Sequence, residues 1–376
     1  MKSKRLSVVI VPIIILMIGY WLFNQPTNSS SIVIPLSEKH RGVCWVASPY
    51  EIDSASILDL VGRNINWISQ TPFGWQREHN SPDIGNQIGR EGGWWGERDD
   101  GLRMTTRIAK SYGIKTILKP HIWLRDSQGK WRGEIRMNNE EDWQKWFANY
   151  ETFILHYAKI AEEEQMEMLC IGTELHRTCV ERESDWRSLI AKIRTVYSGE
   201  LTYAANFADE YQEVAFWDAL DYIGVQGYFP VANSENPSLK EVTEGWLPHI
   251  EQLKKASDQY EKPILFTEIG YKSTKDAGIE PWQWPERIGR EEREAIFSEE
   301  AQATLYQGMF EALSNEQFIA GFHLWKWYPK VPESIAEERR GRRGNDDGAF
   351  NIDFTPQGKE AEQVMAKYFS QFAQDN

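Results

Sequence analysis

Two apolar runs of strand length each end in a single carboxylate. Residues 168–175 read Met-Leu-Cys-Ile-Gly-Thr-Glu-Leu and residues 263–271 read Pro-Ile-Leu-Phe-Thr-Glu-Ile-Gly-Tyr, so Glu174 and Glu268 stand 94 residues apart at comparable points of two elements. Carboxyl groups brought from separate strand ends are what cleavage of a glycosidic bond needs: one protonates the leaving oxygen while the other attacks the anomeric carbon. A lone glutamate at a strand end is as often a solvated residue or a helix cap. Here Leu-His-Arg-Thr follows Glu174 and Ile-Gly-Tyr follows Glu268, and neither run opens an obvious helix capped by the glutamate. Which of the two holds a proton near neutral pH is set by environment, which the sequence alone does not rank.

Residue types suited to a sugar gather at other strand ends. Lys119-Pro120-His121-Ile122-Trp123 continues a third strand, Asn206 closes a fifth, Gln226-Gly227-Tyr228 closes a sixth, and Trp325 sits in Phe322-His323-Leu324-Trp325-Lys326 of an eighth. A pyranose exposes C–H faces that lie against an indole and hydroxyls that need fixed donors and acceptors. Trp325 is the first choice for the platform beneath the sugar, with a barrel-wall core residue as its competing reading. Tyr228 is placed to donate its hydroxyl to the nucleophile. Lys119, His121, Trp123 and Asn206 are candidate sugar ligands, His121 being equally readable as a core histidine. Trp94, Trp95 and Glu97, set among glycines in a long loop, are candidate walls of a subsite or simple scaffolding.

These residues need a frame. Strand patterns fall at residues 42–47, 65–71, 116–121, 166–172, 201–206, 222–226, 264–268 and 319–325, with helical patterns at 52–62, 102–112, 141–163, 186–197, 248–260, 291–313 and 356–372. Such alternation is the signature of parallel strands joined by crossover helices. Eight units fit an α/β fold of the (β/α)8 TIM barrel type, whose active site lies at the carboxyl ends of the strands. A doubly wound open sheet competes, but Ser48-Pro49-Tyr50 stands where its glycine-rich phosphate turn would be. Two insertions, 74–100 and 329–353, interrupt the regular spacing and are expected to wall a cleft.

The chain of 376 residues carries 42 Lys and Arg against 56 Asp and Glu, a net charge of −14, which disfavours a nucleic-acid partner. Cys44, Cys170 and Cys179 are an odd set; the first two fall inside strands, where a free cysteine packs as a small hydrophobe. No CxxC pair or His-x-x-x-His spacing points to zinc. At the N-terminus, Lys2, Lys4 and Arg5 precede residues 7–23, which carry no charge and end near Tyr20 and Trp21. That length is the lower edge of a membrane span, and no small-x-small cleavage site follows. The expected organisation is a cytoplasmic basic flank, an uncleaved signal anchor and the start of a tether over 1–30, a polar tether over 31–38, and a catalytic barrel over 39–376 outside the cytoplasm. A cleaved signal peptide, giving a secreted or periplasmic protein, is the alternative.

At the glutamates the chain resembles the retaining (β/α)8 glycoside hydrolases of clan A, whose acid/base follows strand four and whose nucleophile follows strand seven. More closely it resembles glycoside hydrolase family 113, endo-acting β-1,4-mannanases and related enzymes. The similar stretches are Arg41-Gly42-Val43, Trp94-Trp95-Gly96-Glu97, Ile171 to Leu175, Lys262 to Tyr271 and Asp353 to Lys359. The resemblance implies Glu174 as acid/base, Glu268 as nucleophile, Tyr228 as the tyrosine beside the nucleophile and Trp325 as the strand-eight platform. Many clan members place Asn before the acid/base to hold the sugar 2-hydroxyl. Here Thr173 stands there, and Asn206 is expected to supply part of that contact.

The expected activity is therefore retaining hydrolysis of β-linked hexosides, with mannan implied by the resemblance alone. No cofactor is expected, the partner is an oligo- or polysaccharide, residues 7–23 meet the bilayer, and the protein is a monomer. The competing readings are a transglycosylase or β-glucanase on the same scaffold, and a membrane-tethered carbohydrate-binding protein without turnover.

Overall fold

The computed structural model describes residues 32–86, 88–89, 92–284, 289–330 and 351–375. Eleven strands form among them: β1 (His40–Trp45), β2 (Trp67–Gln70), β3 (Phe73–Gln76), β4 (Ile84–Gly85), β5 (Lys115–Leu118), β6 (His121–Leu124), β7 (Met168–Thr173), β8 (Glu200–Asn206), β9 (Tyr222–Gln226), β10 (Ile264–Ile269) and β11 (Ile319–Trp327). Eight of them close into a parallel barrel in the order β1-β11-β10-β9-β8-β7-β5-β2. All eight barrel strands coincide with the strand patterns in the sequence. Inside the barrel, Trp67, Ile117, Met168, Cys170, Ala204, Leu265 and Ala320 form one small apolar cluster, and a far larger one fills the space between strands and helices. The three cysteines are free and buried.

The third barrel strand is shorter than its pattern. It stops at Leu118, and His121 begins β6, which pairs with β3 in a separate sheet of order β4-β3-β6. The cause is covalent. Pro72 after β2 and Pro120 after β5 stand at the same level of neighbouring strands, and proline has no N–H to give the ladder. Both chains resume beyond the break, His121 N–H donating to Pro72 O at 2.9 Å, so β3 and β6 run on together above the barrel rim. The first insertion opens with β3 and β4 and has a turn at Trp95–Glu97 near its end.

Helix limits also move. The pattern placed at 248–260 is the second half of the helix Leu239–Tyr260, which starts where Ser238 caps Glu241 N–H and carries Pro248 inside it. The pattern at 291–313 is two helices, Arg290–Ile296 and Glu299–Leu313, because Ser298 caps a new start. A six-residue helix, His176–Glu181, follows Glu174 directly. No helix among the described residues is long and apolar enough to cross a membrane. The predicted anchor at 7–23 and nearly all of the second insertion lie outside the described residues.

Two barrel strands are irregular where it matters. The register of β7 against β8 shifts between Cys170 and Thr173, and that of β10 against β9 shifts between Phe266 and Glu268. A bulge re-aims the side chain that follows it and frees a carbonyl from the ladder. In β10 the freed Thr267 carbonyl turns to Lys119 Nζ at 3.0 Å and Cys44 Sγ at 3.5 Å. Register therefore fixes which side chains reach the mouth, and Gly224 in β9 keeps it tight. A Cβ there would lie 2.2 Å from Tyr203 O and 2.6 Å from Thr202 Oγ1. Gly224→Ala is expected to destabilise the protein by about 1–3 kcal/mol, read as a lower urea midpoint. An unchanged midpoint would show that β8 and β9 part freely.

Candidate active site

Glu268 lies on β10 just past the bulge, 5% exposed, and faces donors on every side. Lys119 Nζ donates to its Oε1 at 2.6 Å and Tyr228 Oη to its Oε2 at 3.0 Å. The Gln226 side chain is 3.1 Å from both oxygens, with its amide nitrogen as the group able to donate there. His121 Nε2 stands 3.7 Å from Oε1. The expectation that Lys119 binds sugar does not hold: it is fully buried beneath the site and committed to the carboxylate. Burial opposes its charge, but its pKa is raised. The Cys44 thiol, pushed up to about 12 by its own burial, is neutral at pH 7, so the pairing with Glu268 carries that rise.

Glu174 follows the β7 bulge in a left-handed conformation, φ 50°. A non-glycine residue there costs about 1–2 kcal/mol, so neighbours must hold it. Its N–H donates to Ala204 O at 2.8 Å, and the next N–H, of Leu175, donates to Tyr203 Oη at 2.5 Å. Asn206 Nδ2 donates to its Oε1 at 2.8 Å, and Arg132 Nε is 3.8 Å from Oε2. Burial raises the Glu174 pKa; Arg132 and Asn206 oppose the rise and the charge of Glu268 adds to it. The two carboxyl groups thus share one site and differ in kind.

Arg132, from a turn at Arg132–Glu134, also donates to His121 Nδ1 at 3.0 Å. That bond leaves the His121 proton on Nε2, aimed at Glu268 and otherwise without a partner. Burial, with Lys119 and Arg132 close by, holds the ring neutral by driving its pKa well down. Arg132 was not foreseen from sequence, because nothing periodic marks a loop arginine. Gln226 could have been found: it ends a barrel strand in a run already singled out. Glu210 was also missed. It is buried, accepts from Tyr203 Oη at 2.5 Å and from Asn206 N–H at 2.7 Å, and burial lifts its carboxyl to about 8.

Of the other candidates, Tyr228 is buried with its hydroxyl on Glu268. Trp325 lies over the same floor, with Lys119 Nζ 5.8 Å from its ring centroid. Asn206 is engaged at both ends, its Nδ2 on Glu174 and its Oδ1 accepting from Ala208 N–H at 2.9 Å, which fixes the amide beside Glu174 and leaves its second N–H for a hydroxyl. Thr173 is buried beside Cys170. Trp123 is 54% exposed on β6, not on a barrel strand, with the Arg132 guanidinium 5.9 Å from its ring. Trp94, Trp95 and Glu97 stand at the carboxyl end of β1, where Gly96 N–H donates to Ser48 O at 2.8 Å. Trp94 is exposed there, and burial lifts the Glu97 carboxyl to about 7. A cavity of about 420 Å³ between Lys115, Arg194, Glu200 and Asp221 opens at the opposite, amino-terminal end of the barrel, away from both glutamates.

The family model described as Glycoside Hydrolase Family 113 matches residues 49–344. Among solved structures, the chain is similar to a GH113 β-mannanase from Alicyclobacillus acidocaldarius, at 28% identity over 89% of this chain and 98% of that one, with a TM-score of 0.72. It is also similar to a GH113 β-1,4-mannanase, at 27% identity over 89% and 99%, TM-score 0.70. A β-glucuronidase from Ruminococcus gnavus, at 13% identity over 88% of this chain and 50% of that one, TM-score 0.52, shares the fold. No curated protein sequence is a significant match.

The raised pKa of Glu210 couples stability to pH. The folded state holds its proton up to about 8, whereas an unfolded glutamate releases it near 4.5, so this contribution is fully present below the lower value and is lost as pH rises through the upper one. Glu210→Gln is expected to flatten the decline in stability between pH 5 and 8 in urea titrations. A slope identical to that of the wild type would show that Glu210 is ionised throughout.

Proposed function

The chain belongs to glycoside hydrolase family 113, and from that premise we propose that it cleaves β-1,4-linked mannan or manno-oligosaccharides by double displacement, with Glu268 as nucleophile and Glu174 as acid/base. The observation that carries the assignment is the unlike surroundings of the two carboxyl groups. Glu268 meets an ammonium, a phenol and an amide, donors that suit the anion present before attack and restored on release. Glu174 meets one amide and a guanidinium at 3.8 Å, and burial favours its protonated form. Such a split separates a group that attacks from one that donates a proton.

In the first step the Glu268 oxygen bonds to the anomeric carbon as the bond to the leaving oxygen breaks, and Glu174 gives that oxygen its proton. In the second, Glu174, now a carboxylate, takes a proton from water, whose oxygen displaces Glu268 with net retention. Trp325 carries the C–H face of the sugar, and Tyr228 donates its hydroxyl to Glu268. Lys119 and Asn206 hold the two carboxyl groups in place. Mannose as the sugar rests on the solved relatives, which are β-mannanases. β-Glucan cleavage and transfer to a second sugar are the alternatives on the same machinery.

Glu268→Ala should abolish hydrolysis of manno-oligosaccharides while oligosaccharide affinity stays within about tenfold, as expected of a group used in the transition state. Glu174→Ala should spare an activated aryl glycoside in the first step and give a β-glycosyl azide when azide is added. Because Glu174 must be protonated to act as acid, the rate falls as pH rises through its raised pKa, so the basic limb lies above the ordinary carboxylate range. An α-configured first product of the wild type would remove the retaining mechanism.

The location of the enzyme rests on sequence. Residues 7–23 read as a bilayer anchor with the barrel outside the cytoplasm. The full chain should sediment with membranes after alkaline carbonate washing, and residues 31–376 should not; release of the full chain by the wash would leave the secreted form.

A further inference from the structure

Beyond the cleavage point, one short stretch of chain crosses the mouth of the barrel. Residues 282–284, after β10, carry two exposed indoles, Trp282 and Trp284. They are not equivalent. Trp284 stands edge-on to Trp325, ring centroids 6.2 Å apart at 85°, and Lys326 Nζ sits 4.9 Å from its ring. Its neighbours belong to the strand-eight side of the site. Trp282 reaches the other way and stacks on Phe207, centroids 5.3 Å apart at 27°.

Phe207 is the residue after Asn206, whose amide holds Glu174. It is braced from behind by Phe229, edge to face at 5.6 Å. One face of the Trp282 indole is therefore covered by a fixed aromatic ring, while the residue as a whole remains 41% exposed. A rigid indole with one face pinned and surface left to solvent is the form of a pyranose platform: the ordering cost is met in the free protein. Its place says which sugar it takes. Glu174 delivers its proton to the leaving oxygen, so the sugar attached to that oxygen lies on the Glu174 side of the cleavage point.

We propose that Trp282, supported by Phe207, is the binding platform for the neutral hexopyranose on the leaving-group side, and for the acceptor sugar in transfer. The proposal rests on Glu174 being the proton donor. In transfer, a hydroxyl of the sugar on Trp282 gives its proton to the Glu174 carboxylate and its oxygen bonds to the anomeric carbon. The bond from that carbon to Glu268 breaks, and its electron pair returns to the Glu268 carboxylate.

The test compares two substrates of the full-length enzyme: mannotetraose, whose leaving group is a sugar, and β-mannobiosyl fluoride, whose leaving group is a single atom. Trp282→Ala should lower kcat/KM on mannotetraose about tenfold or more, with a loss on the fluoride several-fold smaller. The ratio of transfer to hydrolysis with added mannobiose should fall in parallel, and Trp282→Phe should recover most of both. Equal losses on the two substrates, or none on the tetraose, overturn the proposal. A wild-type enzyme that cleaves neither these substrates nor their gluco-configured counterparts removes the hydrolase reading itself, and the platform with it.

Discussion

A buried ammonium under a buried carboxylate is the interaction on which the site depends. Lys119 and Glu268 are both almost wholly withdrawn from water, and neither charge is tolerable there alone. Breaking such a pair by removing one partner costs about 3–5 kcal/mol, so the barrel has strong reason to keep both in register. Lys119 is held from three directions, by Glu268, by the Thr267 carbonyl and, more loosely, by Cys44 Sγ at 3.9 Å. The carbonyl is available only because β10 bulges. The irregularity that aims Glu268 at the mouth also supplies the second acceptor that its cation needs.

The opposite carboxyl group is fixed by different means. Among the described residues no cation is in hydrogen-bond range of Glu174, and its strained φ is stabilised through the backbone. Ala204 O takes its N–H, and Tyr203 takes that of Leu175 while leaning on buried Glu210. Glu210 also receives the Asn206 N–H, so one hidden acid ties the ends of β7 and β8 together. The arrangement gives Glu174 a defined position without a strong charge beside it. A close cation would hold its proton too loosely for an acid.

The barrel was legible because its strands are nearly continuous apolar runs, as buried parallel strands must be, and because helices between them keep their period. The strand ends that carry Glu174, Glu268, Tyr228 and Trp325 were legible from the apolar runs that precede them. What escaped depends on distant partners. Lys119 read as a polar group in a cleft, since the sequence cannot show that Glu268, 149 residues away, lies above it. The strand pattern at 116–121 ran through Pro120, because the alignment of Pro120 with Pro72 across β5 and β2 is a matter of register. Asn206 looked free for sugar because both of its partners come from beyond its own strand. Glu210 sits in a four-residue helix, Glu210–Glu213, too short to carry a pattern.

Arg132 joins the two halves of the site, and its placement explains why it touches neither carboxylate closely. It spends one guanidinium N–H on His121 Nδ1 and stands 3.8 Å from Glu174. Nearer contact would offset the rise that burial gives the Glu174 pKa and leave less of it protonated for the first step; withdrawal would leave burial less opposed and slow its return to a base in the second. The bond to His121 has its own consequence, because a neutral imidazole with its proton on Nε2 is a donor toward Glu268. One loop residue thereby tempers the protonation bias that burial gives one carboxyl group and sets the hydrogen-bond sense of the histidine beside the other, so the two environments are coupled by a side chain that neither strand end encodes.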